Sequence, residues 1–263
     1  MEAQPGKSSM HVHEIGSGTP VLLLHGAPSP ASDLLPLARG LATRHRVLIP
    51  DLPGYDASPA LDDFSYPRVG RALAELLVDR GASRLHAIVG FSGGAYRALH
   101  LVLRCGIHAD SIVGLGTIAT LDDASRESFR TFAAMIEADP SAPGSPALRS
   151  VMAERMLSAT WRSNHPADGE RVADWLQLMT PSHFAAELRA TAELPDLRAE
   201  LPSLSSRLFL RVGEHDVATP ATASQEIARL VAVAGLDVVP GCGHALLLED
   251  AEATIAAVMT AVG

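Results

Sequence analysis

The chain lacks what several classes of protein require. Cys105 and Cys242 are the only two cysteines, too few for a disulfide framework or a multi-cysteine zinc site. Lys7 is the one lysine, so arginine carries nearly all the positive charge. With 21 basic against 30 acidic residues, the formal net charge of −9 opposes binding to a phosphate backbone, and no nucleic-acid partner is expected. No apolar run approaches the ~18 residues of a membrane-spanning helix, so no membrane partner is expected either. Residues 1–10 lack the apolar stretch of a secretory leader, which leads to the expectation of a cytoplasmic protein. Aromatic residues make up only 4%, and no aromatic cage is expected.

What is present is 263 residues, 47% hydrophobic and 19% charged, enough to bury one sizeable core and too weakly charged for a disordered chain. Short apolar runs without alternation at 21–25, 46–50, 85–91, 112–115, 208–212 and 236–239 read as strands covered on both faces, with a weakly alternating one at 11–15. Helical spacing separates them: Val69, Leu73, Leu76 and Leu77; Ala95, Leu99 and Val102; Ile227, Leu230 and Val231; Ile255, Val258, Met259 and Val262. This order predicts an α/β fold, a mostly parallel sheet with helices on both faces. Residues 121–201 break the rhythm, with helical stretches at 129–136, 148–161, 172–179 and 184–194 and breaks at 140–144, Pro166 and Pro181. The reading is a core domain, 1–120 and 202–263, carrying an inserted helical cap, 121–201.

The sharpest motif is Gly90-Phe91-Ser92-Gly93-Gly94, a G-x-S-x-G between a buried-strand pattern and a helix, where a nucleophile elbow must sit. A serine hydroxyl needs a base, and the base an orienting acid, in chain order serine, acid, histidine. Asp216 follows the 208–212 strand and His244 the last strand, both at carboxyl ends, where groups of an open parallel sheet gather. Glu214, Asp122 and Asp123 compete for the role of acid, and His215 for that of base. The backbone N–H of Gly93 is one donor for an oxyanion, and Ala27, in the loop after the first buried strand, supplies a second because Pro28 cannot. His11 and His13 stand at i, i+2 on a strand; with no carboxylate or cysteine in a ligand-like pattern nearby in sequence, they are expected on a solvated edge, and no metal is expected.

Taken together, five motifs in order, His25-Gly26, the 51–58 segment DLPGYDAS, the elbow, Gly213–Asp216 with Pro220, and Gly243-His244, resemble the α/β-hydrolase superfamily over nearly the whole chain. The likeness is to its single-domain, helical-capped esterase, lactonase and haloperoxidase-like group. It implies an eight-stranded sheet, Ser92 as nucleophile, His244 as general base and acid, Asp216 as its partner, and the Ala27 and Gly93 amides as oxyanion hole. Two departures stand out: Asp56 replaces the second glycine of D-x-x-G-x-G-x-S, and Gly93 replaces a larger side chain, which suggests a more open pocket floor. No aspartate stands in the elbow, so the resemblance excludes haloalkane dehalogenases and epoxide hydrolases. Ala95 and Tyr96 stand where proline-releasing peptidases carry a tryptophan.

The expectation is therefore a cofactor-free serine hydrolase acting on a small carboxylic ester or lactone with a medium-sized, largely apolar group. Carbon–carbon bond hydrolysis or lysis, peracid formation, and a small-molecule receptor with incidental hydrolysis are the alternatives. His25, Phe91, Met152, Met156, Trp161, Trp175 and Met179 are the candidate substrate contacts, with Phe184 among the larger apolar residues of the cap.

Overall fold

A computed structural model describes residues 10–263. Lys7 and the rest of the opening stretch read for a leader lie outside them. The chain runs β1 (Val12–Ile15), β2 (Thr19–Leu24), α1 (Leu35–Leu41), β3 (His45–Pro50), α2 (Tyr66–Asp79), β4 (Arg84–Phe91), α3 (Gly93–Arg104) and β5 (His108–Leu115). Helices alone follow: α4 (Asp123–Ala138), α5 (Pro146–Met156), α6 (Ala159–Asn164), α7 (Pro166–Asp174) and α8 (Pro181–Ala192). Strand and helix then alternate again through β6 (Arg207–Gly213), α9 (Ala221–Leu230), β7 (Ala234–Val239), α10 (Leu246–Glu249) and α11 (Ala251–Val262).

The strands form one sheet in the order β1-β3-β2-β4-β5-β6-β7, parallel except for β1, which runs antiparallel to β3. Among the described residues it has seven strands, not eight: nothing pairs with the outer edge of β1. The unbroken apolar runs follow from burial on both faces. In β2, Leu22 and Leu24 enter the cluster that includes α2 and α3, while Val21 and Leu23 enter the opposite one, built with α1 and α11. The helix over 35–41 lies in a stretch whose spacing predicted none.

Between β5 and β6 the helices begin where capping chemistry dictates. Asp122, Ser145, Ser158 and Thr180 each accept the N–H three residues on, and proline occupies the first turn after Ser145 and Thr180. The single helix expected over 148–161 is two, because Leu157 is extended and Ser158 starts a new cap. This junction is tied to the loop after β7: Ala245 N–H donates to Met156 O (2.8 Å), and the buried carboxylate of Glu249 accepts from both Ser158 N–H (2.8 Å) and Gly243 N–H (3.0 Å). No helix among the described residues is long and apolar enough to cross a membrane.

Candidate active site

The chain reverses sharply between β4 and α3, and Ser92 stands at the turn with φ 54° and ψ −122°. A non-glycine residue held at positive φ costs of order 1–3 kcal/mol and clusters at functional sites. Its neighbours explain the glycines around it. A Cβ on Gly90 would lie 2.4 Å from Gly94 C, and one on Gly94 only 2.2 Å from Leu24 O. Ser92 N–H donates to Leu115 O (2.8 Å), which fixes the turn against β5.

Asp216 and His244 meet at the carboxyl ends of β6 and β7. Both side chains are fully buried, and His244 Nδ1 lies 2.7 Å from Asp216 Oδ2. Asp216 Oδ1 accepts the N–H groups of Ala218 (2.9 Å) and Thr219 (2.7 Å), an Asx-type turn, and the Thr219 hydroxyl donates to Oδ2 (2.8 Å). Burial raises the Asp216 pKa, but His244 and the Thr219 donors outweigh it and hold the carboxyl below its ordinary range. Gly116 (φ 60°) leaves room for the pair, since a Cβ there would stand 3.0 Å from both Asp216 Oδ2 and His244 Cε1. The His244 ring packs 4.9 Å from Phe91, the residue before Ser92. Its Nε2 is buried without a hydrogen-bond partner. The competing acids are employed elsewhere: Glu214 accepts Gly241 N–H, Asp122 caps α4, and Asp123 is exposed, as is His215.

Ala27 and Gly93 face the same cavity as Ser92, and Ala27 N lies 3.8 Å from where a Cβ on Gly93 would be. Behind them His25 is buried, and burial pulls its pKa down to about 4. The neutral ring accepts Leu52 N–H at Nε2 (3.0 Å) and donates from Nδ1 to Gly26 O (2.9 Å), joining the Ala27 loop to the segment that follows β3. The absence of a side chain at Gly93 does not open the floor. Arg97 Nη1 lies 2.9 Å from the Cβ position, so a larger residue would collide with it. Arg97 is itself buried, bonded to Glu187 (2.6 Å), whose other oxygen accepts the Tyr55 hydroxyl (2.5 Å). Asp56, the other departure, takes the left-handed conformation (φ 42°) a glycine would supply, which a short acidic side chain tolerates.

The cavity above Ser92 has a volume of about 250 Å³ and an apolar wall contributed mainly by the helices between β5 and β6. Met152 and Met156 line it as expected; His25, Phe91, Trp161, Trp175 and Met179 do not. Phe91 and Trp175 border a separate, smaller recess, Trp161 donates to Asp168 (2.8 Å) and stacks on His165, and Met179 is packed in the core. Low aromatic content did not mean an aromatic-poor site: Tyr66, Tyr96, Phe129, Phe132 and Phe184 all line the cavity. Arg155 and Thr219 also line it, neither singled out by spacing, although a threonine three residues after Asp216 is the pattern of a side-chain-capped turn.

His11 and His13 lie half-exposed beside and on the edge strand β1, as expected, but a carboxylate that sequence spacing did not place near them stands there too. The antiparallel β1–β3 register sets Asp51 beside them, with His11 Nδ1 2.8 Å and His13 Nε2 3.1 Å from its two oxygens. One ligand atom from each residue lies within 4.8 Å of the others, a set able to hold a cation. The buried carboxylate is 40 residues from His11 in sequence, which is why local spacing concealed it. None of the three lines the cavity.

A strained serine between strand and helix, a buried Asp–His pair beyond the carboxyl ends of two further strands, and a helical wall over the serine define a class before any relative is considered. The alpha/beta hydrolase family matches residues 21–258, and the chain belongs to it. It is 29% identical over 235 residues to a magnesium-chelatase 30 kDa subunit of Rhodobacter capsulatus, covering 86% of this chain and 81% of that one. It is 27% identical over 264 residues to a pimeloyl-[acyl-carrier protein] methyl ester esterase of Nitrosomonas europaea, covering 93% and 96%. Among solved structures, a thermophilic esterase from Thermogutta terrifontis, malate bound, superposes with a TM-score of 0.87 at 25% identity, covering 98% of this chain and 94% of that one.

Proposed function

We propose that this chain is a serine hydrolase that cleaves a small carboxylic ester or lactone through an acyl-enzyme. The observation that carries the proposal is the buried Asp216–His244 pair beside a serine held at positive φ on the cavity floor. Asp216 holds His244 with Nδ1 protonated, leaving Nε2 as the base. The reaction requires the Ser92 hydroxyl to reach that nitrogen, a contact of the kind that tightens when substrate binds. As the Ser92 oxygen attacks the carbonyl, its proton passes to His244, and the Ala27 and Gly93 N–H groups receive the oxyanion. His244 then protonates the leaving alcohol and takes a proton from the water that releases the acid. The esterase among the relatives supports the reaction class, and the apolar wall supports an acyl or alcohol group of modest size.

A second reading, a ligand-binding protein with incidental turnover, draws on the unpartnered His244 Nε2 and on the chelatase-subunit relative. One experiment separates the two. A fluorophosphonate probe is expected to label the chain at Ser92, with labelling lost in Ser92→Ala, and a panel of p-nitrophenyl esters and lactones is expected to turn over repeatedly. Absence of labelling with intact folding would refute the hydrolase.

A further inference from the structure

The arginines of the helical segment are almost all neutralised. Arg130, Arg149, Arg171 and Arg189 are each bonded to a carboxylate, and Arg126 to three backbone carbonyls. Arg155 differs. It sits in the last turn of α5, lines the cavity over Ser92, and has neither a hydrogen-bond nor an ion-pair partner among the described residues. Its guanidinium carbon lies 6.0 Å from the centroid of Phe129, another cavity residue. The residue is partly buried, and that burial lowers its pKa.

Asp216 is the carboxylate whose charge reaches Arg155, and it makes no hydrogen bond or ion pair with it. Glu187, the carboxylate on the cavity wall, is already shared by Arg97 and Tyr55. Asp216 is consumed by His244 and Thr219. The cavity wall therefore carries one cation with no direct partner, and the carboxylate that acts on it from a distance is committed elsewhere. A partly buried cation in that position gains from an anion that pairs with it directly.

We propose that Arg155 is the anion-recognition residue of this cavity and that the substrate carries a carboxylate, as a half-ester or lactone derived from a dicarboxylic acid. This rests on the hydrolase reading and adds the charge of the substrate to it. A planar monoanion matches one guanidinium fork. Arg155 is the only cation among the lining residues, and a phosphate dianion would leave charge unmatched.

The test compares monoethyl esters of succinic, glutaric and adipic acids with ethyl esters of monocarboxylic acids of equal chain length. The purified chain is expected to favour at least one half-ester by about tenfold or more in kcat/KM. Arg155→Gln is expected to reduce that ratio by about tenfold, and Arg155→Lys to restore part of it. A ratio unchanged in Arg155→Gln, or a preference for the neutral ester at every length, would overturn the proposal. Thermal unfolding with added glutarate, adipate or inorganic phosphate supplies a readout independent of turnover, in wild type and in Arg155→Lys. Stabilisation by the dicarboxylates, weakened in Arg155→Lys, supports the carboxylate site even if no ester is cleaved, an outcome that would sink only the hydrolase reading. Neutral esters cleaved with no charge preference and no dicarboxylate stabilisation would sink the carboxylate site and leave the hydrolase. Stabilisation by phosphate alone would also overturn it.

Discussion

On the sheet side of the cavity almost every polar group is taken by a neighbour: Asp216 by four donors, His25 by two backbone groups, the Ser92 amide by Leu115. Across from it, on the helices between β5 and β6, apolar packing builds the wall and Arg155 stands unpaired. The sheet rim is preorganised by hydrogen bonds and steric necessity, and so suits chemistry that tolerates little displacement. The helical wall is defined by side-chain shape, which can be altered a methylene at a time, and so suits the choice of substrate.

Substitutions on the two sides should therefore separate rate from selectivity. The largest effect belongs to Ser92→Ala or His244→Ala, each expected to lower kcat by about 10⁶-fold in steady-state ester hydrolysis, with unfolding temperature little changed. Asp216→Asn keeps the shape of the pair but presents the wrong hydrogen-bonding partner to Nδ1, and is expected to cost about 10⁴-fold in kcat. Were a helical-wall variant to match either loss, the division of labour would fail.

The rim also carries a pH dependence. Folding holds the His25 pKa at about 4 by burial, against an ordinary value of 6.5, so the unfolded chain takes up a proton that the folded chain refuses between these values. Stability should fall as pH drops from 6.5 towards 4, by roughly 3 kcal/mol from this group. His100, lowered to about 4 by burial and by Arg104 and Arg97, adds to the same slope. Denaturant unfolding across that range should show a shallower dependence in His25→Asn.

The joint between the two sides can be probed at Glu249. Glu249→Ala removes the acceptor of both Ser158 and Gly243 N–H groups and is expected to destabilise the fold by about 2 kcal/mol in urea titration. The smallest expected change is Leu148→Ala in the cavity wall. It should shift relative kcat/KM towards longer acyl chains by about tenfold, with kcat for short esters nearly preserved.

Much of the sheet was legible because β2, β4 and β5 are buried on both faces and their apolar runs allow no other reading. Ser92, Asp216 and His244 were legible for a related reason. Each sits in the loop that follows a strand, and backbone clashes below 2.5 Å require the glycines at Gly90 and Gly94 around Ser92 and at Gly213 before Asp216. The cavity lining was not. Of the seven side chains expected to touch substrate, only Met152 and Met156 line the cavity, since size and apolarity mark Trp161, Trp175 and Met179 equally for packing or for a pocket. Gly93 misled for want of its neighbour, because the space it leaves is filled by Arg97 rather than by solvent.

The amino-acid order alone determined the strand sequence, the elbow and the chain order of serine, acid and histidine, because buried strands and tight turns are local demands on residue type. Only the folded chain decided that Asp51 joins His11 and His13, that Glu187 is spent on Arg97 while Arg155 is left over, and that five aromatics converge on one cavity. Those outcomes depend on which distant side chains the fold brings together, and pairing across 38 or more residues leaves no periodic trace in sequence.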